Sequence, residues 1–254
     1  MSTAVIASEA HPTASKTAPG PDLRALAELS VLTEASAPAV LSFVQQRFGD
    51  RAAIASSFGV EDIVLLHLAS VYAPSLTVFT LDTGRLPEET HEVMELVRRR
   101  FQLRIETFAP ERAAVERLES EQGYYSFRAS LQARKDCCGV RKVEPLRRAL
   151  AGKQAWLTGL RREQTQTRTA IDVAGWDDGF GLWKFNPLSS WTTAQTWAYV
   201  QEHSLPYNRL HDLGYPSIGC APCTRAVKPY EDLRAGRWWW ENAEHKECGL
   251  HRQP

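Results

Sequence analysis

The sequence predicts a single α/β domain built on a mainly parallel, twisted sheet that is flanked by helices. Short β-rich segments alternate with longer segments of helical periodicity, which is the pattern of βαβ units. No internal repeat and no Pro- or Gly-rich linker interrupts this alternation. The chain has 254 residues, of which 43% are apolar, and this is enough to bury one large core.

The predicted elements follow a polar N-terminal segment. Residues 1–21 are rich in Ala, Ser, Thr and Pro and lack periodicity, which predicts a disordered leader. Helical periodicity then predicts two helices, at 22–32 and 37–48. The β-rich segments predict strands at 51–55, 76–81, 103–107 and 154–158. The segments between and after them predict helices at 61–70, 88–101, 110–121 and 192–203.

The balance of charge excludes two broad classes of partner. Thirty Lys and Arg side chains match thirty Asp and Glu side chains, so the net charge is zero with His neutral. Non-specific binding to nucleic acid or to a membrane surface depends on excess positive charge. No apolar run reaches the roughly 20 residues that a membrane span needs, and the N-terminus lacks the layout of a secretory signal. We therefore expect a cytoplasmic protein with no nucleic-acid partner and no membrane partner.

Polar loops follow three of the predicted strands. They are S-S-F-G-V-E-D from Ser56, L-D-T-G-R-L from Leu81 and T-G-L-R-R-E-Q from Thr158. Taken singly, they suit a helix cap, a turn hydroxyl and a solvated basic helix start. Ligands of parallel sheets bind beyond the carboxyl ends of the strands, where helix N-termini favour anions. Together the loops therefore indicate a site for an anionic ligand the size of a nucleotide.

The five cysteines divide into two pairs and one single residue. Cys220 and Cys223 form a C-x-x-C, which suits zinc, an iron–sulfur cluster or a redox dithiol. Cys137 and Cys138 are adjacent, and neighbouring residues seldom form a relaxed disulfide. Four thiolates in two groups match the requirement of an iron–sulfur cluster. The alternative is a set of buried free cysteines.

Cys248 stands near the chain end among polar residues, where an exposed thiol is costly because it oxidises. A nucleophilic thiolate there needs nearby positive charge, and Arg234, Arg237, Lys246 and His251 are candidates. The triple Trp at 238–240 should bury at least partly and fix the root of this segment. We therefore expect a folded domain over residues 22–237 and a C-terminal arm over 238–254.

Taken together, these motifs resemble the assimilatory sulfonucleotide reductases. The resemblance is carried by the three strand-end loops, by C-C-G-V-R-K-V-E-P from Cys137, by the stretch that ends in G-C-A-P-C-T, by R-A-G-R-W-W-W, and by the terminal E-C-G-L-H. The tandem cysteines together with the C-x-x-C mark the iron–sulfur branch of this family, whose usual substrate is adenosine 5′-phosphosulfate (APS).

The resemblance implies an adenine nucleotide alpha hydrolase-like fold and an oxidoreductase of sulfate assimilation and cysteine biosynthesis. Such an enzyme reduces APS to sulfite and AMP through an S-sulfocysteine, with thioredoxin or a glutaredoxin-like protein as reductant. Cys248 would be the nucleophile. One 4Fe–4S cluster per subunit would be held by Cys137, Cys138, Cys220 and Cys223. The phosphosulfate would be held by Lys142, Arg234, Arg237 and His251. The adenosine and phosphate pocket would be lined by Ser56, Ser57, Phe58, Gly59, Leu81, Thr83, Gly159 and Arg161.

Three alternatives remain at this point. The enzyme could use the 3′-phosphorylated nucleotide, or both nucleotides. A tRNA thiolation enzyme of the ATP-pyrophosphatase type usually carries S-G-G-x-D-S, from which Phe58 to Asp62 depart, and the neutral charge offers no tRNA-sized basic surface. A non-catalytic thiol sensor would explain neither the arm nor the three loops. The sequence leaves a homo-oligomer open.

Overall fold

The computed structural model describes residues 32–164 and 171–241, and its centre is a six-stranded sheet. The spatial order of the strands is β3-β2-β1-β4-β6-β5. Every neighbouring pair is parallel except β5 and β6, which form an antiparallel hairpin at one edge. The strands are β1 (Ala52–Ala55), β2 (Thr77–Leu81), β3 (Ile105–Phe108), β4 (Ala155–Leu157), β5 (Ala174–Asp177) and β6 (Leu182–Phe185). The predicted fold class, a mainly parallel sheet flanked by helices, is confirmed.

Seven α-helices lie in the described part of the chain. They are α1 (Ala37–Phe48), α2 (Val60–Tyr72), α3 (Glu88–Phe101), α4 (Arg112–Gln122), α5 (Leu131–Cys138), α6 (Glu144–Leu150) and α7 (Thr193–Glu202). A π-helical turn, Gly139–Val143, joins α5 to α6. Within these residues, no helix has the length and apolar character needed to cross a membrane.

The central strand β1 shows why helices cover both faces of the sheet. Ala53 and Ile54 are fully buried, as expected for a strand in the middle of a parallel sheet. Ile54 faces a large core that includes residues of α1 and α2. Ala53 faces a smaller core on the other side, where Leu146 of α6 packs with Trp156. Successive strand residues point to opposite faces, so β1 contributes to both cores.

The structure adds elements that the sequence pattern did not predict. The hairpin β5–β6 was missed, and so were the helices α5 and α6 on either side of the π turn that follows the tandem cysteines. The other strands and helices within the described residues agree with the predictions to within about two residues, the usual uncertainty of helix boundaries. The predicted leader and almost all of the predicted helix at 22–32 lie outside the described residues.

Candidate active site

A cavity of about 620 Å³ opens at the carboxyl ends of β1, β2 and β4. This is the edge of a parallel sheet where ligands are expected, and the volume suits a nucleotide. Ten of the residues expected to contact substrate line it: Ser56, Ser57, Gly59, Leu81, Thr83, Lys142, Gly159, Arg161, Arg234 and Arg237. The structure therefore brings the three strand-end loops together with the cationic residues named from the C-terminal part of the domain.

Phe58 does not line the cavity, unlike its neighbours. Its side chain is 1% exposed and belongs to the main hydrophobic core. Its backbone is left-handed, with φ at 57°, and its N–H donates to Ser56 Oγ over 3.2 Å. In this structure Phe58 anchors the loop from behind, which is a structural role. Two other expected site residues, Cys248 and His251, lie outside the described residues.

Asp62, in the first turn of α2, joins two of the loops. Its Oδ2 accepts hydrogen bonds from the backbone nitrogen and the hydroxyl of Ser57, at 2.6 and 2.8 Å. A Cβ added to Gly159 would lie 2.4 Å from Asp62 Oδ1, so only glycine fits the third loop at this point. Burial raises the pKa of Asp62 to about 6, against the lowering effect of the hydrogen bonds from Ser57. Asp62 was not among the site residues predicted from the sequence.

Arg161 lines the cavity but already has several partners within the protein. Its side chain is 3% exposed, and Nη2 donates to Glu61 Oε1 over 2.8 Å. Nη1 donates to Glu163 Oε2 and to the carbonyl of Trp191, both over 3.1 Å. These contacts link the loop after β4 to the starts of α2 and α7. Arg161 therefore has a structural role in addition to its expected place in the nucleotide pocket.

The four cysteines of the two pairs are all buried, and all are free thiols. Cys137, Cys220 and Cys223 share an apolar cluster with Phe127 and Trp238. Within residues 32–164 and 171–241, no group of three or more His, Cys, Asp or Glu side chains meets the spacing for a single metal ion. An iron–sulfur cluster makes a different demand, because its four thiolates bind separate iron atoms. Buried thiols from two segments fit a ligand set of that kind.

Positive charge surrounds these thiols. Burial raises the pKa of Cys223 to about 12. Burial would also raise the pKa of Cys220, but the charge of Lys142, a contact with Thr83 and the charge of Arg237 together hold it below its usual value. Thr83 Oγ1 lies 3.2 Å from Cys220 Sγ. Because Lys142, Thr83 and Arg237 also line the cavity, the cysteine region adjoins the expected substrate site.

The first residues of the predicted C-terminal arm lie beside the cavity. Trp238 lines the cavity and is 1% exposed, whereas Trp239 is 37% exposed. The backbone nitrogen of Trp238 donates to the carbonyl of Cys223 over 3.1 Å. The expectation that the triple Trp buries in part is therefore correct for the described residues.

Comparisons with known proteins agree with this geometry. Residues 51–226 match the family model described as the phosphoadenosine phosphosulfate reductase domain. A protein of Allochromatium vinosum named adenosine 5′-phosphosulfate reductase is 51% identical over 220 residues, which cover 87% of this chain and 86% of that protein. The crystal structure of phosphoadenylyl-sulfate (PAPS) reductase from Candida auris, a phosphate complex, superposes with a TM-score of 0.70 at 28% identity, covering 83% of this chain and 100% of that one. FMN adenylyltransferase of Candida glabrata shares the fold alone, with a TM-score of 0.51 at 14% identity over 88% of this chain and 75% of that one.

Proposed function

This chain belongs to the phosphoadenosine phosphosulfate reductase domain family, and we propose that it reduces APS to sulfite and AMP in sulfate assimilation and cysteine biosynthesis. The observation that carries the proposal is the position of the cavity between three features. These are the strand-end loops, the region of four buried thiols, and the root of the segment that leads to Cys248. A relative named as an adenosine 5′-phosphosulfate reductase, 51% identical, supports the choice of substrate.

The loops and the cationic residues divide the binding of the nucleotide between them. Ser56, Ser57 and Gly59 lie at the N-terminus of α2, where backbone N–H groups and the helix dipole favour the phosphate. Leu81, Thr83, Gly159 and Arg161 also line the cavity and would complete the adenosine and phosphate pocket. Arg234, Arg237 and Lys142 supply positive charge for the phosphosulfate, and His251 would join them from the arm.

The four thiols would hold one 4Fe–4S cluster per subunit through Cys137, Cys138, Cys220 and Cys223. Their burial and the surrounding positive charge support this, because a cluster on four thiolates is anionic. When bound, the cluster would supply a rigid, negatively charged centre held by these four thiolates. Lys142 follows the tandem cysteines in the π turn and lowers the pKa of Cys220, so it connects this centre to the substrate site.

The thiols supply the electrons for the reaction. The Cys248 thiolate attacks the sulfur of the phosphosulfate and forms an S–S bond, while the bond from that sulfur to the phosphate oxygen breaks and AMP leaves with its electron pair. A thiol of reduced thioredoxin, or of a glutaredoxin-like protein, then attacks Cys248 Sγ, and sulfite leaves with the electron pair of the S–S bond. The second thiol of the reductant releases Cys248 and forms the reductant's disulfide.

The spacing along the chain is compatible with the proposed role of Cys248. It follows Glu241, the last described residue, by seven positions. Seven extended residues span at most about 25 Å. The chain leaves the described structure three residues after Trp238, which lines the cavity. A segment of this length is short enough to support the proposal that Cys248 acts at the pocket.

The 3′-phosphorylated nucleotide is the second candidate substrate. The solved structure with a TM-score of 0.70 is a PAPS reductase, which favours testing this nucleotide beside APS. The four cysteines favour APS, because they are the feature of the iron–sulfur branch of sulfonucleotide reductases, whose usual substrate is APS. A single assay separates the two candidates.

The test is sulfite release from each nucleotide in the presence of reduced thioredoxin. We expect release from APS by the wild-type protein and none by Cys248→Ser. Replacing Cys137 or Cys220 with Ser should remove the brown colour and the visible absorption of the cluster. Sulfite release by Cys248→Ser at the wild-type rate would contradict the proposed nucleophile. Faster release of sulfite from the 3′-phosphorylated nucleotide would show that this nucleotide, and not APS, is the preferred substrate.

A further inference from the structure

A buried ion pair links the helix of the tandem cysteines to the last described residue of the chain. Arg134 of α5, three positions before Cys137, donates from Nε to Glu241 Oε1 over 2.6 Å. The two side chains are 1% and 8% exposed. The Arg134 guanidinium also lies over the ring of Trp238, 4.5 Å from its centroid. One arginine therefore holds two residues of the arm's root.

The root is bonded to the second cysteine segment as well. Trp238 donates its N–H to the carbonyl of Cys223, and Arg237 pairs with Thr224 in an isolated β-bridge. Residues 237–241 are thus attached by their backbone to the C-x-x-C loop and by a side chain to α5. The two attachments come from separate parts of the sequence and meet at the point from which the chain continues toward Cys248.

The energetics of the pair favour a role in positioning. Removing two charges from water is expensive, and apolar replacements of buried ion pairs are often equally or more stable. Breaking such a pair by removing one partner is strongly destabilising. Only Oε1 of Glu241 is used, since Oε2 has no hydrogen-bond partner among the described residues. Because an apolar pair could stabilise the fold as well, stability alone does not explain the contact, whereas its fixed geometry determines where Glu241 lies.

We propose that Arg134 and Glu241 are positioning residues that set the direction in which the chain leaves the domain toward Cys248. The proposal rests on the proposed function, because it assigns the pair a part in bringing that thiol to the substrate sulfur. Neither residue lines the cavity, so neither is expected to contact the nucleotide. The pair therefore acts on the rate of sulfur transfer and leaves nucleotide binding unchanged.

The experiment measures three quantities in wild type and in Glu241→Gln. They are the dissociation constant for AMP, the iron content, and the rate at which APS converts Cys248 to S-sulfocysteine in the absence of reductant. The rate is measured from the release of AMP and from the mass of the modified protein. Glu241→Gln should be less stable than wild type, because it removes one charge of a buried ion pair. In the folded variant we expect the first two quantities to stay at wild-type values and the third to fall about tenfold or more, because small misplacement of a reacting group costs rate steeply.

Two further variants separate positioning from general damage. Arg134→Met with Glu241→Leu removes the pair without leaving a buried charge, and it should fold, bind AMP and show the same slow transfer. Glu231→Gln breaks the ion pair of Arg225 and Glu231, joined at 2.8 Å, which lies in the same C-terminal region but holds no residue of the root. This control should transfer sulfur at the wild-type rate.

The outcomes keep the two proposals apart. Wild-type transfer rates in Glu241→Gln, or in the double variant, would overturn the positioning role while leaving the proposed function intact. A parallel loss of AMP binding and iron in both of these variants would also overturn it, because the pair would then be structural. Failure of the wild-type protein to form the S-sulfocysteine would refute the proposed function itself.

Discussion

The carboxylate of Asp62 accepts hydrogen bonds from both the backbone nitrogen and the hydroxyl of Ser57, at 2.6 and 2.8 Å. Its other oxygen faces Gly159, where a Cβ would lie only 2.4 Å away. One buried acid therefore holds the loop after β1 against the loop after β4. The shape of this part of the cavity depends on this contact.

The first prediction concerns Asp62→Asn and pH. Burial raises the pKa of Asp62 from 3.8 to about 6 in the folded protein. Between these values the folded protein holds a proton that the unfolded chain has lost, so the stability that this group contributes is complete below about pH 4 and is lost as the pH rises through 6. The free energy of unfolding of Asp62→Asn should therefore gain about 2.5 kcal/mol on the wild type between pH 4 and 7. Urea unfolding at several pH values measures the difference. A difference that does not change with pH would show that Asp62 titrates normally.

The second prediction is that Gly159→Ala weakens AMP binding and stability together. The new Cβ would force Asp62 or the loop after β4 to move, and overpacking of this kind costs about 1–3 kcal/mol. Gly175→Ala is the matched control, since a Cβ there meets nothing within 4 Å. Calorimetric titration with AMP and urea unfolding provide the two measurements. Equal behaviour of the two alanine variants would be inconsistent with the contact between Gly159 and Asp62.

The third prediction is that Arg161 stabilises the folded protein in addition to lining the cavity. Its guanidinium bonds Glu61 and Glu163, and its side chain is 3% exposed. Arg161→Ala should lower the free energy of unfolding by about 3 kcal/mol, because it leaves Glu61 without its partner in a largely buried position. Arg209→Ala serves as the control, since Arg209 bridges Glu89 and Glu92 at the surface with 61% exposure. Exposed pairs of this type contribute less than about 1 kcal/mol. If Arg161→Ala lost nucleotide affinity at unchanged stability, Arg161 would be a substrate ligand alone.

The fourth prediction is that Lys142→Ala lowers turnover while the proposed cluster remains loaded. Lys142 lines the cavity and its charge acts on Cys137, Cys220 and Cys223. Loss of a charged contact to a developing anion typically costs about 2 kcal/mol or more of transition-state stabilisation, a factor of at least ~30 in rate. Lys153→Ala is the control, because Lys153 Nζ instead bonds the carbonyl of Asp50. Iron content and sulfite release are measured on the same samples. Normal turnover of Lys142→Ala would remove Lys142 from the reaction.

Local sequence pattern predicted the parallel part of the fold well. Strands β1 to β4 and the helices α2, α3 and α4 carry their apolar residues at regular spacing, and these elements are confirmed. The hairpin β5–β6 lacks that regularity. Gly175 interrupts β5, and Lys184 of β6 lies over the ring of Trp156, 4.7 Å from its centroid. In the sequence, a charged residue at this position interrupts the apolar pattern that predicts a strand. The pattern does not show that this residue packs on an aromatic ring of the neighbouring strand.

The site was predictable where chemistry is carried by residue type, and less so where it depends on distant partners. Ser56, Gly59 and Thr83 stand in recognisable loops, and the structure places them on one cavity. By contrast, Arg134 and Arg141 are buried in the α5 region, where charges normally predict a surface. Their partners, Glu241 and Glu119, are 107 and 22 residues away along the chain. The local spacing of apolar residues does not reveal contacts between residues that are far apart in the chain. For this reason α5 and the positioning pair were not predicted.

The measurement that tests the central claim most directly is a single turnover with APS and no reductant. Wild-type protein is mixed with one equivalent of APS, and the AMP released and the mass of the peptide containing Cys248 are determined. We expect one AMP per protein and the added mass of one SO₃ group on that peptide alone, with the mass lost again and sulfite released when reduced thioredoxin is added. AMP release without a modified Cys248, or the same modification on another cysteine in Cys248→Ser, would contradict the account.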